Sequence, residues 1–449
     1  MFLVLFADDF YRQLTPFTAF LARCYFNYLR TVEDPRLADL EPVVTALAFF
    51  VQGEWAQLIA LLDGPERDER RELVHEFIVG ELVGMSVNLD YGDEIGRRKM
   101  FELMREMLQH HALPESLIPK CLDVLMKGTD ERDFTRIVPE IVQVLRQNSG
   151  LLSSDEEAVF DEDLEDEEGN PLERPTRMPP KTPGGRPRPA KQSAEGEKRI
   201  KQLNLRCLAV VRATLERTTG ALREASMLNG LVSELIVPAV KTKDPQVRAE
   251  GLICLGLCSL LDKEMALNSF DLLARQSQVA DGELQVRLHQ TVFDILVLYG
   301  IRFGEGVEEE DENGRVITRD RFAGGMILGL IMNCLEAEEP DVLATSVVGI
   351  AKLMLSGMVT DEEILTRLVL LYFASETVEN QELRQCLSYF FPVYCYSNPT
   401  NQRRLASVAL SALGLLKGVY DDLEHKAVMT APLQIGAQLL DWADPQKAV

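Results

Sequence analysis

Apolar residues recur at helical spacing along most of the chain, with short polar turns between the apolar runs. In the stretch from residue 227 to residue 278, the first run has leucines three or four positions apart: Leu228, Leu231 and Leu235. Pro238 is expected to bend or close this helix, because proline lacks the N–H that the preceding turn would bond. Asp244 and Pro245 then suit the cap and the first position of a second helix. The stretch therefore predicts a helical hairpin of about 40 residues, the size of HEAT-type repeats.

The pattern of the second helix recurs along the following part of the chain. Its four copies align at Val247, Val286, Val342 and Leu383, so the successive steps are 39, 56 and 41 residues. The long step contains an inserted loop, 304–319, and without its 16 residues that step would be 40. Near-equal periods of this length indicate helical pairs that stack side by side and bury their apolar faces against one another.

An arginine follows the aligned position in three of the four copies: Arg248, Arg287 and Arg384. Stacked repeats need a defined register, and the turns between their helices need satisfied polar groups. We therefore predict that each arginine bonds to an acidic residue of the adjacent repeat, Asp244 being an example. The arginines and Asp244 would then form a structural ladder along the array.

The chain divides into two predicted helical blocks. Residues 1–147 contain five or six amphipathic helices separated by polar turns that supply caps and breakers. This block starts without a polar capping repeat, so we expect it to be the interior of a solenoid that is truncated at its N-terminus. Residues 199–442 hold the repeats. The sequence thus predicts an all-α fold, a HEAT-repeat α-solenoid in two blocks.

The segment 148–198 between the blocks has no helical periodicity. Residues 155–168 include ten carboxylates, and residues 171–191 include seven prolines and six lysines or arginines. Such a composition cannot bury enough apolar surface to offset the entropy of the chain. We expect this acidic and then Pro/Arg-rich linker to be disordered. Thr182 precedes Pro183 and lies near Arg186, which makes it a candidate site for a proline-directed kinase.

Composition narrows the classes of function. The formal net charge of −24 makes the whole chain a poor general ligand for nucleic acid, so any contact with DNA needs a local basic surface. No run reaches the roughly 18 uncharged apolar residues of a membrane helix. The nearest such run is GGMILGLIMNCL, and we expect no membrane association. Eight cysteines without framework spacing fit reduced thiols of a cytosolic or nuclear protein.

Motifs of catalysis are absent from the sequence. It has no phosphate-binding loop, no nucleophile elbow and no metalloprotease motif. Its carboxylates lie mainly in turns and in the linker, where nothing holds a pair at catalytic distance. We therefore expect no enzyme activity, no metal, no cofactor and no small-molecule substrate, and a helical surface that binds other macromolecules.

Two separated stretches resemble one family in the family's own order. Residues 203–266 resemble the C-terminal region of condensin complex subunit 3, the G-type HEAT subunit that pairs with the kleisin. Residues 87–108, 114–128 and 130–142 resemble the repeats that precede that region, and the acidic linker lies where the family has a variable insertion. The resemblance covers most of residues 21–440.

This resemblance implies a non-catalytic component of the condensin complex, in which an SMC ATPase pair, a kleisin and two HEAT subunits compact mitotic chromosomes. The implied partners are the kleisin directly, the SMC pair indirectly, and DNA only as part of the complex. The implied location is the nucleus and the chromosome, with a cytoplasmic pool. The alternative from the repeat pattern alone is a generic HEAT or armadillo adaptor, such as a nuclear transport receptor.

Two groups of basic residues are candidates for contacting DNA or a partner. The first group is Arg97, Arg98 and Lys99, and the second is Lys241 and Lys243 in the turn before Asp244. Each group could equally be the solvated edge of a helix, since charges of this kind commonly only keep a surface in water.

Overall fold

A computed structural model of the chain shows helices that follow one another as antiparallel pairs. The residues that it describes are 13–37, 41–64, 68–148, 194–220, 226–310, 316–322, 325–425 and 428–447. Contacts group these residues into two compact units, one up to Cys254 and one from Leu255. Each unit is described by itself below.

In the described residues of the first unit, helices are the only regular secondary structure. Local capping explains where several of its helices begin: the carboxylate of Asp93, for example, accepts hydrogen bonds from the N–H groups of Ile95 and Gly96. The helices are α1 (Pro16–Thr31), α2 (Val44–Leu62), α3 (Glu69–Ser86), α4 (Glu94–Gln109), α5 (Ile118–Lys127), α6 (Glu131–Asn148), α7 (Ala194–Leu215), α8 (Ser226–Leu231), α9 (Val237–Lys241) and α10 (Pro245–Leu261), which continues into the second unit.

Neighbouring helices of the first unit bury their apolar faces against each other. Helix α3 packs on α1, α2 and α5, while α7 packs on α5 and α6. The helices that precede the linker and the helix that follows it therefore share one core. Its fully buried side chains include Phe26, Leu58, Met100 and Phe134. The division into domains at 1–147, 148–198 and 199–442 stays a prediction.

Pro238 perturbs its helix in the way that its missing N–H requires. A π-helical turn, Val232–Ile236, lies between α8 and α9 and places Pro238 near the start of α9. The carbonyl of Glu234, four residues before the proline, accepts a hydrogen bond from Nη2 of Arg146 at 3.5 Å. Close packing follows at Gly251, where a Cβ would lie 2.9 Å from the backbone nitrogen of Val240.

The second unit contains the predicted repeats and one small sheet. Its elements are α11 (Lys263–Val279), α12 (Gly282–Tyr299), β1 (Val307–Glu310), β2 (Val316–Arg319), α13 (Met326–Cys334), α14 (Pro340–Leu355), α15 (Glu362–Phe373), α16 (Gln381–Tyr396), α17 (Pro399–Asp422) and α18 (Pro432–Trp442).

The four aligned positions lie on α10, α12, α14 and α16, as the period predicts. Helix α12 packs on α14, and α14 packs on α16. The approach of α12 to α14 is so close that a Cβ at Gly349 would lie 2.2 Å from the ring of Phe293. Val247, Val342 and Leu383 are buried, whereas Val286 is only partly buried. The all-α HEAT-repeat fold is confirmed.

The inserted segment differs from the expected loop, because it contains an antiparallel pair of strands. Val307 pairs with Arg319 and Glu310 pairs with Val316. Residues 311–315, which join the strands, lie outside the described residues.

One helix of the first unit is long and apolar enough to cross a membrane by length and composition. This is helix α2, whose 19 residues include Glu54, so it is not an uncharged run and the expectation about such runs is not contradicted. The core helix of a soluble protein meets the same criterion, and α2 packs its buried side chains, including Trp55, on α3 and α4.

Candidate partner-contacting surfaces

The first predicted basic group lies on α4 and is partly neutralised by its own surroundings. Arg98 pairs with Glu94 at 2.8 Å, one turn earlier on the helix, and both side chains are exposed. Nζ of Lys99 lies 5.5 Å from the ring centroid of Phe49 on α2, on a different side of the helix. Along the face that holds Arg97 and Arg98, acidic and basic residues alternate: Glu94, Glu102, Arg105 and Glu106. This surface has little net positive charge.

The second predicted group lies at the end of α9 and in the turn that follows it. Lys241 is the last residue of α9, Lys243 lies in the turn, and both are exposed. Nε of Arg248 donates to the carbonyl of Thr242 at 2.8 Å, and Nζ of Lys201 on α7 lies 2.8 Å from a carboxylate oxygen of Asp244. We name Lys201, Lys241, Lys243 and Arg248 the turn patch.

Asp244 is the acidic residue beside the turn patch, and its carboxylate is already bonded to Lys201 and to the start of α10. Its carboxylate caps α10 by accepting from the N–H groups of Gln246 and Val247 at 3.0 and 3.1 Å, as predicted. Burial alone would raise the pKa of Asp244, but the hydrogen bond from Lys201 and those from the backbone outweigh it and lower the pKa. The carboxylate of Asp244 is therefore engaged by Lys201 and by the start of α10.

The predicted ladder of arginines and acids is wrong in its partners. Arg248 bonds the Thr242 carbonyl rather than Asp244, and Arg287 pairs with Glu283 of its own helix at 2.9 Å. Arg384 donates to the carbonyl of Ala374 at 2.8 Å, at the end of α15. The physical reason is distance. Carbonyls at nearby helix ends, or a carboxylate one turn away, lie closer to each guanidinium than the acidic residues of the next repeat. Each arginine thus stabilises a turn or a helix of its own repeat.

Thr182, the predicted phosphorylation site, lies outside the described residues. The expectation for it stays a prediction.

A buried arginine that sequence analysis did not single out connects α7 to the loop before α5. Arg206 is 8% exposed, and its two terminal nitrogens donate to the carbonyls of Leu113 and His110, the latter at 3.3 Å. Burial lowers the pKa of Arg206. Its Nε has no hydrogen-bond partner among the described residues. From the sequence alone, such an arginine is expected to be a solvated charge. Only the packing of α7 shows that it bonds these two carbonyls.

A second unpredicted contact holds the segment just after α7 against the start of α6. The carboxylate of Glu131 accepts from the N–H groups of Thr219 and Gly220 at 2.6 and 2.7 Å. Hydrogen bonds from Gly220 and Thr219 lower the pKa of Glu131. Nearby, Nε of Arg217 lies 2.6 Å from a carboxylate oxygen of Asp123. These polar contacts join residues on the two sides of the linker.

In the second unit, three neighbouring helices present residues to solvent at equivalent positions. Residues eleven apart on a helix point within about 20° of one another. Glu283 and Asp294 on α12, Asp341 and Lys352 on α14, and Glu382 and Val393 on α16 are three such pairs, with Tyr389 beside Val393. Tyr389 is 68% exposed and Val393 is 52% exposed. We name these seven residues the three-helix face.

The three-helix face is acidic near the helix starts, and α16 adds the exposed side chains of Tyr389 and Val393 toward its end. Glu283, Asp341 and Glu382 surround one concavity. Asp294 and Lys352 are 3.7 Å apart, and burial raises the pKa of Asp294. A face of this kind suits an extended peptide that combines apolar and basic residues. Among the described residues, no group of three or more His, Cys, Asp or Glu side chains is placed to hold a metal ion.

Residues 206–449 match a family described as nuclear condensing complex subunits, C-terminal domain. The chain is similar to condensin complex subunit 3 of Schizosaccharomyces pombe, with 29% identity over 98% of this chain and 49% of that protein. It is also similar to condensin complex subunit 3 of Saccharomyces cerevisiae, with 26% identity over 83% of this chain and 38% of the relative. The human protein of the same name is 25% identical over 77% of this chain.

A solved structure has the same fold. The structure titled "Crystal structure of the S. pombe condensin Cnd3-Cnd2 subcomplex" superposes with a TM-score of 0.74 and 25% sequence identity, over 99% of this chain and 51% of that chain. The chain therefore spans about half the length of that relative. With more than half of its residues matched by the family's sequence pattern, the chain belongs to the nuclear condensing complex subunits, in the part that carries their C-terminal domain.

Proposed function

We propose that this chain is part of a non-catalytic HEAT-repeat subunit of the condensin complex, which binds the kleisin and helps the complex to engage DNA in mitotic chromosome condensation. The observation that carries the proposal is the match in fold over 99% of the chain to the Cnd3-Cnd2 subcomplex. Such a subunit acts in the nucleus and on chromosomes, contacts the SMC ATPase pair through the kleisin, and needs no cofactor or small-molecule substrate.

For the kleisin we propose the three-helix face as a contact surface. Apolar side chains that are exposed on a repeat array, with acidic groups beside them, favour an extended segment that buries aliphatic residues and places basic ones near the carboxylates. Tyr389 and Val393 would carry most of the affinity, since exposed aromatic residues are frequent hot spots of protein interfaces.

Calorimetry of the purified chain with the kleisin segment of its own complex tests this proposal. Changing Tyr389→Ala together with Val393→Ser should raise the dissociation constant at least about tenfold, which corresponds to a loss of about 1.4 kcal/mol of binding free energy. The matched control changes two exposed leucines of α18, Leu433→Ala and Leu440→Ala, and should alter the affinity by less than about twofold. A folded chain that gives no complex with the kleisin segment would refute kleisin binding itself.

For DNA we propose the turn patch rather than the α4 surface. Phosphate binding depends on positive charge that acids nearby do not cancel. Lys241 and Arg248 are exposed around a turn whose Asp244 pairs with Lys201, and Lys243 is exposed beside them, whereas Arg98 is paired with Glu94. The DNA contact would operate only within the assembled complex, given the net charge of −24.

The salt dependence of DNA binding by the assembled complex distinguishes the two basic surfaces. Lys241→Gln with Lys243→Gln should weaken binding to every DNA sequence alike and should reduce the slope of log affinity against log salt by about 2. Arg97→Gln with Arg98→Gln removes the same formal charge and should change the slope by less than about 1. Equal slopes for both variants and the unchanged complex would contradict the proposal for the turn patch.

A further inference from the structure

We propose that Thr360, on the turn that joins α14 to α15, is a phosphorylation site for an acidophilic protein kinase. The inference does not depend on the proposed function. It rests on the exposure of Thr360, on the backbone of the turn, and on the three acidic residues that follow.

The turn between α14 and α15 presents Thr360 at the surface. Gly357 follows the end of α14 with a φ of 74°, a left-handed conformation that glycine adopts without strain. The N–H groups of Met358 and Val359 both donate to the carbonyl of Leu353, at 2.9 and 3.2 Å. Val359 is 1% exposed, whereas the next residue, Thr360, is exposed. The buried Val359 therefore anchors the turn and leaves Thr360 accessible to another protein.

The residues after Thr360 carry the charge that an acidophilic kinase recognises. Asp361, Glu362 and Glu363 follow it directly, and all three are exposed. Kinases select substrates partly by such charge patterns, because basic side chains of the kinase bond the carboxylates. Asp361 also caps α15, accepting from the N–H groups of Glu363 and Ile364 at 2.8 and 3.1 Å. Helix ends open locally at little cost, so this first turn can extend in the substrate groove of a kinase.

Among the described serines and threonines, Thr360 is the one that three acidic residues follow directly. Thr129 provides a close comparison, because it also precedes a capping aspartate, Asp130. Thr129 is only partly exposed, however, and its Oγ1 donates to the carbonyl of Leu125 at 2.7 Å. The third residue after it is Arg132, whose charge an acidophilic kinase disfavours. Thr129 is therefore not expected to be a substrate.

The reaction at Thr360 transfers one phosphoryl group from ATP. Oγ1 of Thr360 bonds to the γ-phosphorus, the bond from that phosphorus to the oxygen of the β-phosphate breaks, ADP leaves, and the hydroxyl proton passes to a base of the kinase. The product adds about 1.5 to 2 negative charges at pH 7. The dipole of α15 favours an anion at this end, whereas Asp361 and Glu362 repel it. The modified chain therefore stays folded and gains a strongly acidic turn.

Phosphate mapping of the full chain, after treatment with ATP and casein kinase 2, tests the inference. Mass spectrometry of proteolytic peptides reports each site separately, and we expect phosphate at Thr360 and none at Thr129. Ser154 of the linker is followed by the same Asp-Glu-Glu run, so it shows in the same sample whether the kinase is active. Phosphate at Ser154 without phosphate at Thr360 would overturn the inference, because the turn would then be inaccessible. Phosphate at neither site would also refute it, because the acidic run would then not direct this class of kinase.

A charge variant with a matched control separates the acidic run from mere exposure. Glu363→Gln keeps the size of the side chain and should slow modification of Thr360 by about tenfold. Glu376→Gln, at another exposed glutamate of the same unit, should leave the rate unchanged. Thr360→Ser should retain the modification and Thr360→Ala should abolish it on this turn. Equal rates for the Glu363 variant and the unchanged chain would contradict recognition by charge.

Discussion

The two compact units hold their helices together by different means. In the first unit, short charged contacts join helices that are far apart in sequence: Arg23 with Glu81 at 2.6 Å, and Arg217 with Asp123 at 2.6 Å. In the second unit, two ion pairs between residues far apart in sequence are longer: Lys352–Asp294 and Arg367–Glu336, both at 3.7 Å. Its helices instead meet through aromatic clusters, one of which stacks Phe391 on Trp442 at 4.7 Å.

The difference follows from how the two units are connected along the chain. Successive repeats of the second unit are neighbours in sequence, so simple burial of apolar faces brings the right helices together. In the first unit, α7 must find α5 and α6 across a linker that separates them by more than 40 residues. Hydrogen bonds and ion pairs have strict geometry, and they can specify such a distant partner where apolar burial alone would not.

The largest expected effect on stability follows from removing the aromatic contact of the second unit. Trp442 is 4% exposed and lies against Phe391 and Tyr372, so Trp442→Ala should lower the free energy of unfolding of this unit by about 3–5 kcal/mol. Scanning calorimetry of the full chain would measure the shift. Leu433→Ala on the same helix, where the side chain is 85% exposed, should change it by less than about 0.5 kcal/mol. A small effect at Trp442 would show that the second unit does not depend on its aromatic cluster.

An intermediate effect should follow loss of the buried arginine in the first unit. Arg206→Met keeps much of the side-chain volume but leaves the carbonyls of Leu113 and His110 without their donor. We expect a loss of about 2 kcal/mol, because each unsatisfied buried group costs about 1–3 kcal/mol and part is regained by no longer burying a charge. Denaturant unfolding would measure it.

The control for Arg206 is Arg287 in the second unit. Arg287 pairs with Glu283 on the surface of one helix, so Arg287→Met should cost less than about 0.5 kcal/mol. If both substitutions had the same small effect, the polar contacts of the first unit would be no more important than surface pairs, and the contrast between the units would be lost.

The smallest expected effect depends on pH. Because the pKa of Glu131 is lowered in the folded chain, its ionised form stabilises the fold above the ordinary glutamate pKa, and this stabilisation is lost as the pH falls through the lowered value. Glu131→Gln should therefore cost about 1 kcal/mol at pH 7 and progressively less below about pH 4. Unfolding curves of both proteins at several pH values would measure the difference.

Glu102→Gln, on the exposed face of α4, is the matched control for Glu131. It should show no such pH-dependent difference from the unchanged chain. A constant difference between the Glu131 variant and the unchanged chain at every pH would indicate that the contact acts through shape rather than charge.

Much of the fold could be predicted from local pattern. The helical spacing of apolar residues, the capping role of Asp244 and the disturbance at Pro238 are short-range properties, and the structure confirms them. The period of about 40 residues predicted stacked pairs, because each pair must cover the apolar face of the next. The inserted hairpin was missed, since a short acidic stretch has little strand propensity.

The candidate surfaces were less predictable than the helices. Arg97 and Arg98 lie on α4, Lys241 ends α9 and Lys243 lies in the turn after it, but the charge around them depends on Lys201 and Glu94, one of which comes from another helix. The predicted partners of Arg248, Arg287 and Arg384 were wrong, because a long flexible side chain bonds whichever acceptor packing brings within reach. Arg206 could not be recognised at all, because its burial arises from α7 covering a loop 93 residues earlier.

By itself, the sequence determined where the helices begin and end, that they pair, and that the pairs repeat, because these properties follow from periodicity and capping within a few residues. Only the tertiary structure decided which charges are paired and which arginine is buried. Those properties depend on contacts between distant residues, and local pattern contains no information about the distance between them.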